Sequence, residues 1–106
     1  MVTEIGPKEF RSRLASGETP VVLDVREPEE IRRAPFAGAL EIPMGEVPGR
    51  LDELDPTEEI VVLCHHGIRS RRIAAFLETQ GFQRVSNLAG GIDSWSAEVD
   101  PGIPRY

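Results

Sequence analysis

The chain has 106 residues, a net charge of −6 and 28% charged residues, proportions ordinary for a globular domain. This length allows one modest hydrophobic core and excludes two, so residues 1–106 are predicted to form a single domain. The negative charge argues against nucleic acid as a partner, and no apolar stretch approaches the roughly 18 residues that cross a bilayer, which argues against a membrane.

The predicted elements alternate between strands and helices. In the first half we predict a strand at 3–5, a helix at 7–16, a strand at 21–25, a helical turn at 26–31 and a brief strand at 40–42. In the second half we predict a weak helix at 47–54, a strand at 60–63, a helix at 70–80, a strand at 82–88 and a helix at 92–97. Because such alternation implies parallel crossovers, the expected fold is α/β, a three-layer α/β/α sandwich around a mainly parallel sheet of about five short strands.

A cysteine occupies the most informative position in this pattern. Cys64, the only cysteine, follows the apolar run 60–63 and precedes the helix predicted at 70–80. In open α/β sheets ligands bind at the carboxyl ends of the strands, and a helix N-terminus there stabilises thiolates and other anions. The alternative, a small buried hydrophobic residue, is disfavoured because the residues that follow Cys64 are not those of a plain core. A single cysteine also cannot form an internal disulfide and the N-terminus lacks a signal sequence, so a cytoplasmic location is expected.

The residues behind Cys64 form a candidate loop. Gly67 lets the backbone curl so that successive N–H groups face inward as an anion-binding nest. Arg69 either reaches into this pocket or pairs with an acid such as Asp24 at the end of the neighbouring strand, and the sequence leaves both roles open. Ser70 is expected to cap the following helix, and its hydroxyl can also contact the thiolate.

The two histidines and the surrounding charges allow further expectations. His65 and His66 lack the paired spacing of zinc ligands, so no metal is expected there. One of the two is expected to point to solvent and to add positive charge at the mouth of the loop. No acidic residue occurs from 60 to 77, and this local cationic character suits a small anionic ligand. Trp95 is expected to pack in the core rather than on a ligand.

Two kinds of cysteine chemistry remain for such a loop. A tyrosine phosphatase needs one residue more between cysteine and arginine than separates Cys64 from Arg69, and Ser70 stands where its arginine would be. A shorter loop makes a tighter nest, which fits one sulfur better than a phosphoryl group. Chemistry at sulfur is therefore favoured over phosphatase or arsenate reductase activity.

Several segments together resemble the single-domain rhodaneses, a family of sulfurtransferases. Residues 21–30 resemble the first signature of that family, residues 36–43 its second, and residues 81–95 its closing segment. The segment 64–70 resembles the active-site loop and following cap of the family, and it consists of Cys64, His65, His66, Gly67, Ile68, Arg69 and Ser70. One difference is Pro35, which stands where many members carry a histidine outside the loop.

The resemblance implies a function and a set of roles. Cys64 would take the outer sulfur of thiosulfate or a similar small anionic donor, become a persulfide, and pass the sulfur to cyanide, a thiol or an acceptor protein. Residues 65–70 would bind the substrate, Asp24 and Arg26 would support the loop, and no cofactor would be needed. Two half-reactions through one nucleophile predict ping-pong kinetics. The alternative from another class is a persulfide-relay or regulatory module that works only when docked to a partner protein.

Overall fold

The computed structural model describes residues 2–106 and shows an α/β fold in which strands and helices alternate. The five strands are β1 (Thr3–Ile5), β2 (Val21–Asp24), β3 (Leu40–Glu41), β4 (Glu59–Leu63) and β5 (Arg84–Leu88). The four α-helices are α1 (Pro7–Ala15), α2 (Pro28–Arg33), α3 (Ile68–Thr79) and α4 (Gly91–Glu98), and a 3-10 helix spans Met44–Glu53. None of the helices in this described part of the chain is long and apolar enough to cross a membrane.

The strands form one parallel sheet in the order β1-β5-β4-β2-β3, which confirms the predicted parallel crossovers. β4 lies at the centre of this order, between β5 and β2. Because helices cover both of its faces, residues 60–63 of β4 are an unbroken apolar run rather than an alternating one.

Two apolar clusters fill the space on either side of the sheet. Ile60 and Val62 of β4 belong to one cluster, together with α3 and the 3-10 helix. Val61 and Leu63 belong to the other, together with α1 and α4. Successive side chains of a strand point to opposite faces, so β4 contributes side chains to both clusters. The sheet with helices on its two faces makes the three layers. Trp95 of α4 is buried in the second cluster, with ring centroids 5.6 Å from Phe10 and 5.3 Å from Phe36, which confirms its predicted core position.

Several boundaries differ from those predicted. The prediction that Ser70 caps α3 is wrong, because the helix begins at Ile68 and Gly67 is its N-cap residue. Gly67 has a φ of +93°, a left-handed conformation that turns the loop into the helix two residues sooner. The weak helix predicted at 47–54 is instead the 3-10 helix Met44–Glu53, whose Pro48 lacks the N–H that an α-helix needs inside it. The short strand predicted within 82–88 is β5, Arg84–Leu88.

Candidate active site

Cys64 lies where the central strand ends and α3 is about to begin. The backbone amide of Val25 donates to the carbonyl of Leu63 at 3.0 Å, so the end of β2 stands beside the end of β4. The loop of residues 64–67 then leads directly into α3. This is the carboxyl edge of the sheet, the position that the sequence predicts for a ligand site.

The Cys64 side chain is 1% exposed and contacts both apolar and polar groups. Its sulfur packs in the first apolar cluster, yet it also accepts hydrogen bonds from the Gly67 amide at 3.1 Å and the Ser70 hydroxyl at 3.2 Å. The sequence predicts a run of inward amides, whereas within hydrogen-bonding distance of Sγ the structure places one amide and one hydroxyl. Two donors aimed at one sulfur are an arrangement that stabilises a negative charge on it.

Backbone hydrogen bonds from the beginning of α4 hold the loop in place. The amide of Ile92 donates to the Cys64 carbonyl at 2.8 Å, and the amide of Asp93 donates to the His65 carbonyl at 3.1 Å. A Cβ on Gly67 would lie 3.0 Å from the Gly90 nitrogen, so the two segments are in close backbone contact. The shape of the loop therefore depends on α4 as much as on α3.

Asn87 on β5 is a site residue that the sequence reasoning missed. It is fully buried, and its Oδ1 accepts a hydrogen bond from the Ser70 hydroxyl. Its Nδ2 donates to the Gly67 carbonyl at 3.0 Å and to Glu4 on β1 at 2.9 Å. Asn87 is thus bonded to both residues that donate to Cys64, through the Ser70 hydroxyl itself and through the Gly67 carbonyl. The signal available in the sequence was an amide side chain near the end of the strand predicted at 82–88.

Arg69 pairs with an acid, and the acid is Glu30 rather than Asp24. The two guanidinium nitrogens of Arg69 donate to the two carboxylate oxygens of Glu30 at 2.8 and 2.7 Å. The Arg69 guanidinium is the main cause that lowers the pKa of Glu30 to about 2. The named partner was wrong because Asp24 is bonded to Arg26, and the acid within hydrogen-bonding distance of Arg69 is Glu30 on α2. The guanidinium of Arg69 is therefore occupied in holding the beginning of α3 to α2.

Asp24 instead forms a buried ion pair with Arg26. Both Asp24 oxygens accept from the Arg26 guanidinium, at 3.0 Å from Nε and 2.8 Å from one terminal nitrogen, and both residues are inaccessible to solvent. Burial, the largest single effect, disfavours the guanidinium charge, but the hydrogen bonds and charges of Asp24 and Tyr106 together outweigh it and the pKa of Arg26 is raised. The same terminal nitrogen donates to the Ala34 carbonyl at 2.8 Å, next to Pro35, which is exposed. This pair fixes the segment that follows β2.

An aromatic stack connects the loop to Tyr106. The His65 ring lies between His66 and Tyr106, with both centroid separations 3.8 Å. Burial, followed by the charge of His66, lowers the pKa of His65. His66 is exposed, as predicted for one of the two histidines, and so is Ile68, which is 60% exposed beside the loop.

His65, His66 and Asp93 form the one grouping among residues 2–106 whose ligand atoms are close enough to hold a metal ion, within 4.8 Å of one another. Asp93 comes from α4 and so could not be associated with the histidines by spacing alone. Both of its oxygens accept from Arg105, at 2.9 and 3.1 Å. The two imidazoles are stacked at an interplanar angle of 24°, and Asp93 is already paired with the Arg105 cation.

We predict that Glu30→Gln changes how stability depends on pH. A carboxyl group whose pKa is lower in the folded state stabilises the fold above its unfolded pKa, and this contribution is lost as the pH falls. For Glu30 the window runs from about 4.5 down to about 2. Denaturant unfolding should therefore show the free-energy difference between the wild type and Glu30→Gln shrinking by about 1 kcal/mol as the pH falls through this window.

Glu29→Gln, which neutralises an exposed carboxylate on the same helix, is the matched control for this prediction. If both variants differ from the wild type equally at every pH, the Glu30–Arg69 pair does not contribute in this way.

The site consists of a buried cysteine with two hydrogen-bond donors at its sulfur, at the carboxyl edge of a five-stranded parallel sheet. The profile described as "Rhodanese-like domain" matches residues 6–98. The chain belongs to the rhodanese-like domain family, as the resemblance in its sequence indicates. A solved rhodanese-like domain protein of Staphylococcus aureus superposes with a TM-score of 0.86 at 27% identity, over 99% of both chains.

Among named relatives, the chain is 38% identical over 104 residues to a sulfurtransferase of Allochromatium vinosum, covering 98% of this chain and 94% of that one. It is 36% identical over 103 residues to the thiosulfate sulfurtransferase GlpE of Actinobacillus pleuropneumoniae, covering 96% and 91%. It is also 37% identical over 99 residues to YrkF of Bacillus subtilis, named as a sulfur carrier, covering 93% of this chain. The chain spans only 54% of the length of that relative.

Proposed function

We propose that this protein is a sulfurtransferase in which Cys64 carries the sulfur. The observation that supports the proposal is the pair of donors, the Gly67 amide and the Ser70 hydroxyl, aimed at an otherwise buried sulfur. A thiolate at this position gains charge-assisted hydrogen bonds, each worth about 1.5–3 kcal/mol. The relatives named as sulfurtransferases support the same class of reaction.

The reaction consists of two displacements at sulfur and needs no cofactor. With thiosulfate as donor, the Cys64 thiolate attacks the outer sulfur, the sulfur–sulfur bond breaks, and sulfite leaves with the bonding electron pair. The outer sulfur remains on Cys64 as a persulfide. A cyanide or thiolate acceptor then attacks that sulfur and releases the Cys64 thiolate, so no outside oxidant or reductant is consumed.

Thiosulfate, or another small anion, is the proposed donor class. The beginning of α3 contributes free amides and the positive end of its dipole to the mouth of the loop. The exposed His66 lies at the same mouth, whereas Arg69 is partly neutralised by Glu30 and Arg71 by Glu4. The site therefore attracts anions mainly through backbone dipoles, and less through arginine charges than the number of arginines near the loop suggests.

A phosphatase or arsenate reductase is less well supported. Four residues separate Cys64 from Arg69, and the guanidinium of Arg69 is bonded at both terminal nitrogens to Glu30. An arginine held in this way does not offer its fork to a phosphoryl group. Turnover of an aryl phosphate or arsenate would revive this alternative.

Intact-mass measurement after treatment with thiosulfate tests the proposal. The wild type should gain the mass of one sulfur atom, because the persulfide is a covalent intermediate. Cys64→Ala and the closer isostere Cys64→Ser should gain nothing while keeping the same circular-dichroism spectrum. Adding cyanide should return the wild type to its starting mass and release thiocyanate. A persistent mass gain in Cys64→Ala, or none in the wild type, would contradict the assignment.

A persulfide relay that works only with a partner protein is the second candidate. Ile68 is the only large apolar side chain exposed among residues 2–106, and it lies at the beginning of the helix that follows the loop. The longer relative YrkF contains this domain within a larger chain, a second observation that favours a protein partner. Steady-state turnover separates the two: parallel-line kinetics with thiosulfate and cyanide favour the free enzyme, and a single charging event without turnover favours the relay.

A further inference from the structure

The Ser70 hydroxyl lies between two acceptors but has a single hydrogen. Its oxygen is 3.2 Å from Cys64 Sγ and is also hydrogen-bonded to Asn87 Oδ1. A hydroxyl donates one hydrogen bond at a time. At any moment Ser70 therefore donates either to the sulfur or to the amide oxygen.

The orientation of the Asn87 amide is set by its other contacts. Nδ2 is 3.0 Å from the Gly67 carbonyl and 2.9 Å from a Glu4 carboxylate oxygen, and both of these groups only accept. Nδ2 must therefore face them, and Oδ1 must face Ser70. Asn87 is fully buried, so no solvent can replace Ser70 as the donor to Oδ1.

We propose that Asn87 is a positioning residue that competes with the Cys64 thiolate for the Ser70 hydroxyl hydrogen. When the sulfur is a neutral thiol, S–H donates to Ser70 Oγ and Ser70 donates to Asn87. When the sulfur is an anion it can only accept, and the hydroxyl hydrogen rotates onto it, leaving Asn87 Oδ1 without a donor. The inference deepens the proposed sulfur transfer and rests on Cys64 being its nucleophile.

This competition has a consequence for each stage of the proposed reaction. The unpaired Asn87 oxygen offsets part of the stabilisation that Ser70 gives to the thiolate, which keeps the sulfur anion reactive. Once Cys64 carries a second sulfur, the charge lies mainly on the outer atom and the inner sulfur no longer attracts the hydrogen as strongly. Ser70 then returns to Asn87. No covalent bond changes in this step, which is only a rotation of the hydroxyl.

Other charged groups surround this arrangement and must be kept constant in any test. Glu4 on β1 faces Asn87 and is paired with Arg71 of α3 at 2.8 Å. Arg69 of α3 interacts electrostatically with Cys64. His65 and His66 belong to the loop itself, and the Asp24–Arg26 and Glu30–Arg69 pairs lie on the side of β2 and α2. The variants below therefore change only uncharged side chains.

The pH dependence of alkylation of Cys64 by iodoacetamide reports the thiolate without any sulfur donor. Ser70→Ala should lower the thiolate-to-thiol ratio at a given pH about tenfold, because one donor to the anion is lost. Asn87→Ala should raise the ratio by roughly threefold or more, because the competitor is lost. In the Ser70→Ala background, Asn87→Ala should have no further effect, since Asn87 acts through Ser70.

The double variant separates this role from a merely structural one. Asn87 also holds the Gly67 carbonyl, and an effect through that bond would persist without Ser70. Ser86→Ala, which removes a buried hydroxyl from the adjacent position of β5, is the matched control and should leave the alkylation profile unchanged. An Asn87→Ala shift of equal size with and without Ser70 would overturn the inference.

A measurement on the wild type covers the case in which Asn87→Ala does not fold. The side-chain amide resonances of Asn87 should shift with pH at the midpoint found for alkylation of Cys64, and Ser70→Ala should abolish that shift. Resonances that ignore the ionisation of Cys64 would overturn the inference. Because neither experiment uses thiosulfate, a protein that passes both but never gains sulfur would refute the proposed function and leave this inference standing.

Discussion

Replacing Asp24 with alanine is expected to lower the free energy of unfolding by about 3–5 kcal/mol, because it leaves a buried guanidinium unpaired. Arg26 is the largest fully buried side chain among residues 2–106, and Asp24 supplies its only carboxylate partner there. Burying an ion is costly unless its charge is neutralised nearby. The remaining contacts of the guanidinium, the Ala34 carbonyl and the Tyr106 hydroxyl, are uncharged.

Urea unfolding at neutral pH measures this effect, with Glu29→Ala as the control. Glu29 and Arg32 form an exposed pair on α2 at 4.0 Å, with side chains 78% and 70% exposed, and its loss should change the free energy of unfolding by less than about 0.5 kcal/mol. Adding Arg26→Met to Asp24→Ala should recover much of the loss, because the unpaired charge is then removed as well. Equal effects of Asp24→Ala and Glu29→Ala would show that the buried pair does not stabilise the fold.

Gly91→Ala is expected to distort the loop that carries Cys64. A Cβ at position 91 would lie 2.5 Å from the carbonyl oxygens of both Cys64 and His65, and the φ of +62° is itself unfavourable for alanine. These neighbours are backbone atoms that cannot move aside as a flexible side chain would. We expect a loss of about 3 kcal/mol from strain and overpacking, and little or no sulfur gain after treatment with thiosulfate.

Gly45→Ala provides the comparison for this variant, since a Cβ there meets no atom within 4 Å and φ is not positive. It should keep both the stability and the mass gain of the wild type. Thermal unfolding and intact mass together report the outcome. If Gly91→Ala gains sulfur as fast as Gly45→Ala, contact between α4 and the loop does not govern the geometry of Cys64.

Local patterns in the sequence were sufficient for the architecture. The apolar run at 60–63 predicts a buried strand, because a strand covered on both faces has no polar positions, and in the structure β4 lies at the centre of the sheet. An apolar stripe at helical spacing predicts the buried face of α3, and its residues lie in or against the first apolar cluster: Ile73, Ala74, Phe76 and Leu77. Such patterns involve only a few neighbouring residues, so they can be recognised without knowledge of the tertiary structure.

The position of Cys64 at the carboxyl edge followed from the same reasoning, because a residue after a strand and before a helix can occupy few other places. The start of α3 was predicted two residues late, since the left-handed conformation that makes Gly67 the N-cap belongs to a loop in close backbone contact with Gly90, a segment distant in sequence. The polar residue Ser70 was consequently assigned to a cap, although its hydroxyl was also expected near the thiolate, where the structure places it.

The amino-acid sequence by itself determined the layers, the parallel crossovers and the edge at which the lone thiol stands, because periodicity and strand–helix alternation are local properties. Only the tertiary structure decided which groups meet there. Arg69 pairs with Glu30, 39 residues away, and Ser70 meets Asn87, 17 residues away. These pairs depend on how each helix packs on the sheet. A small rotation or shift of a helix would bring a different acid or amide into contact with Arg69 or Ser70.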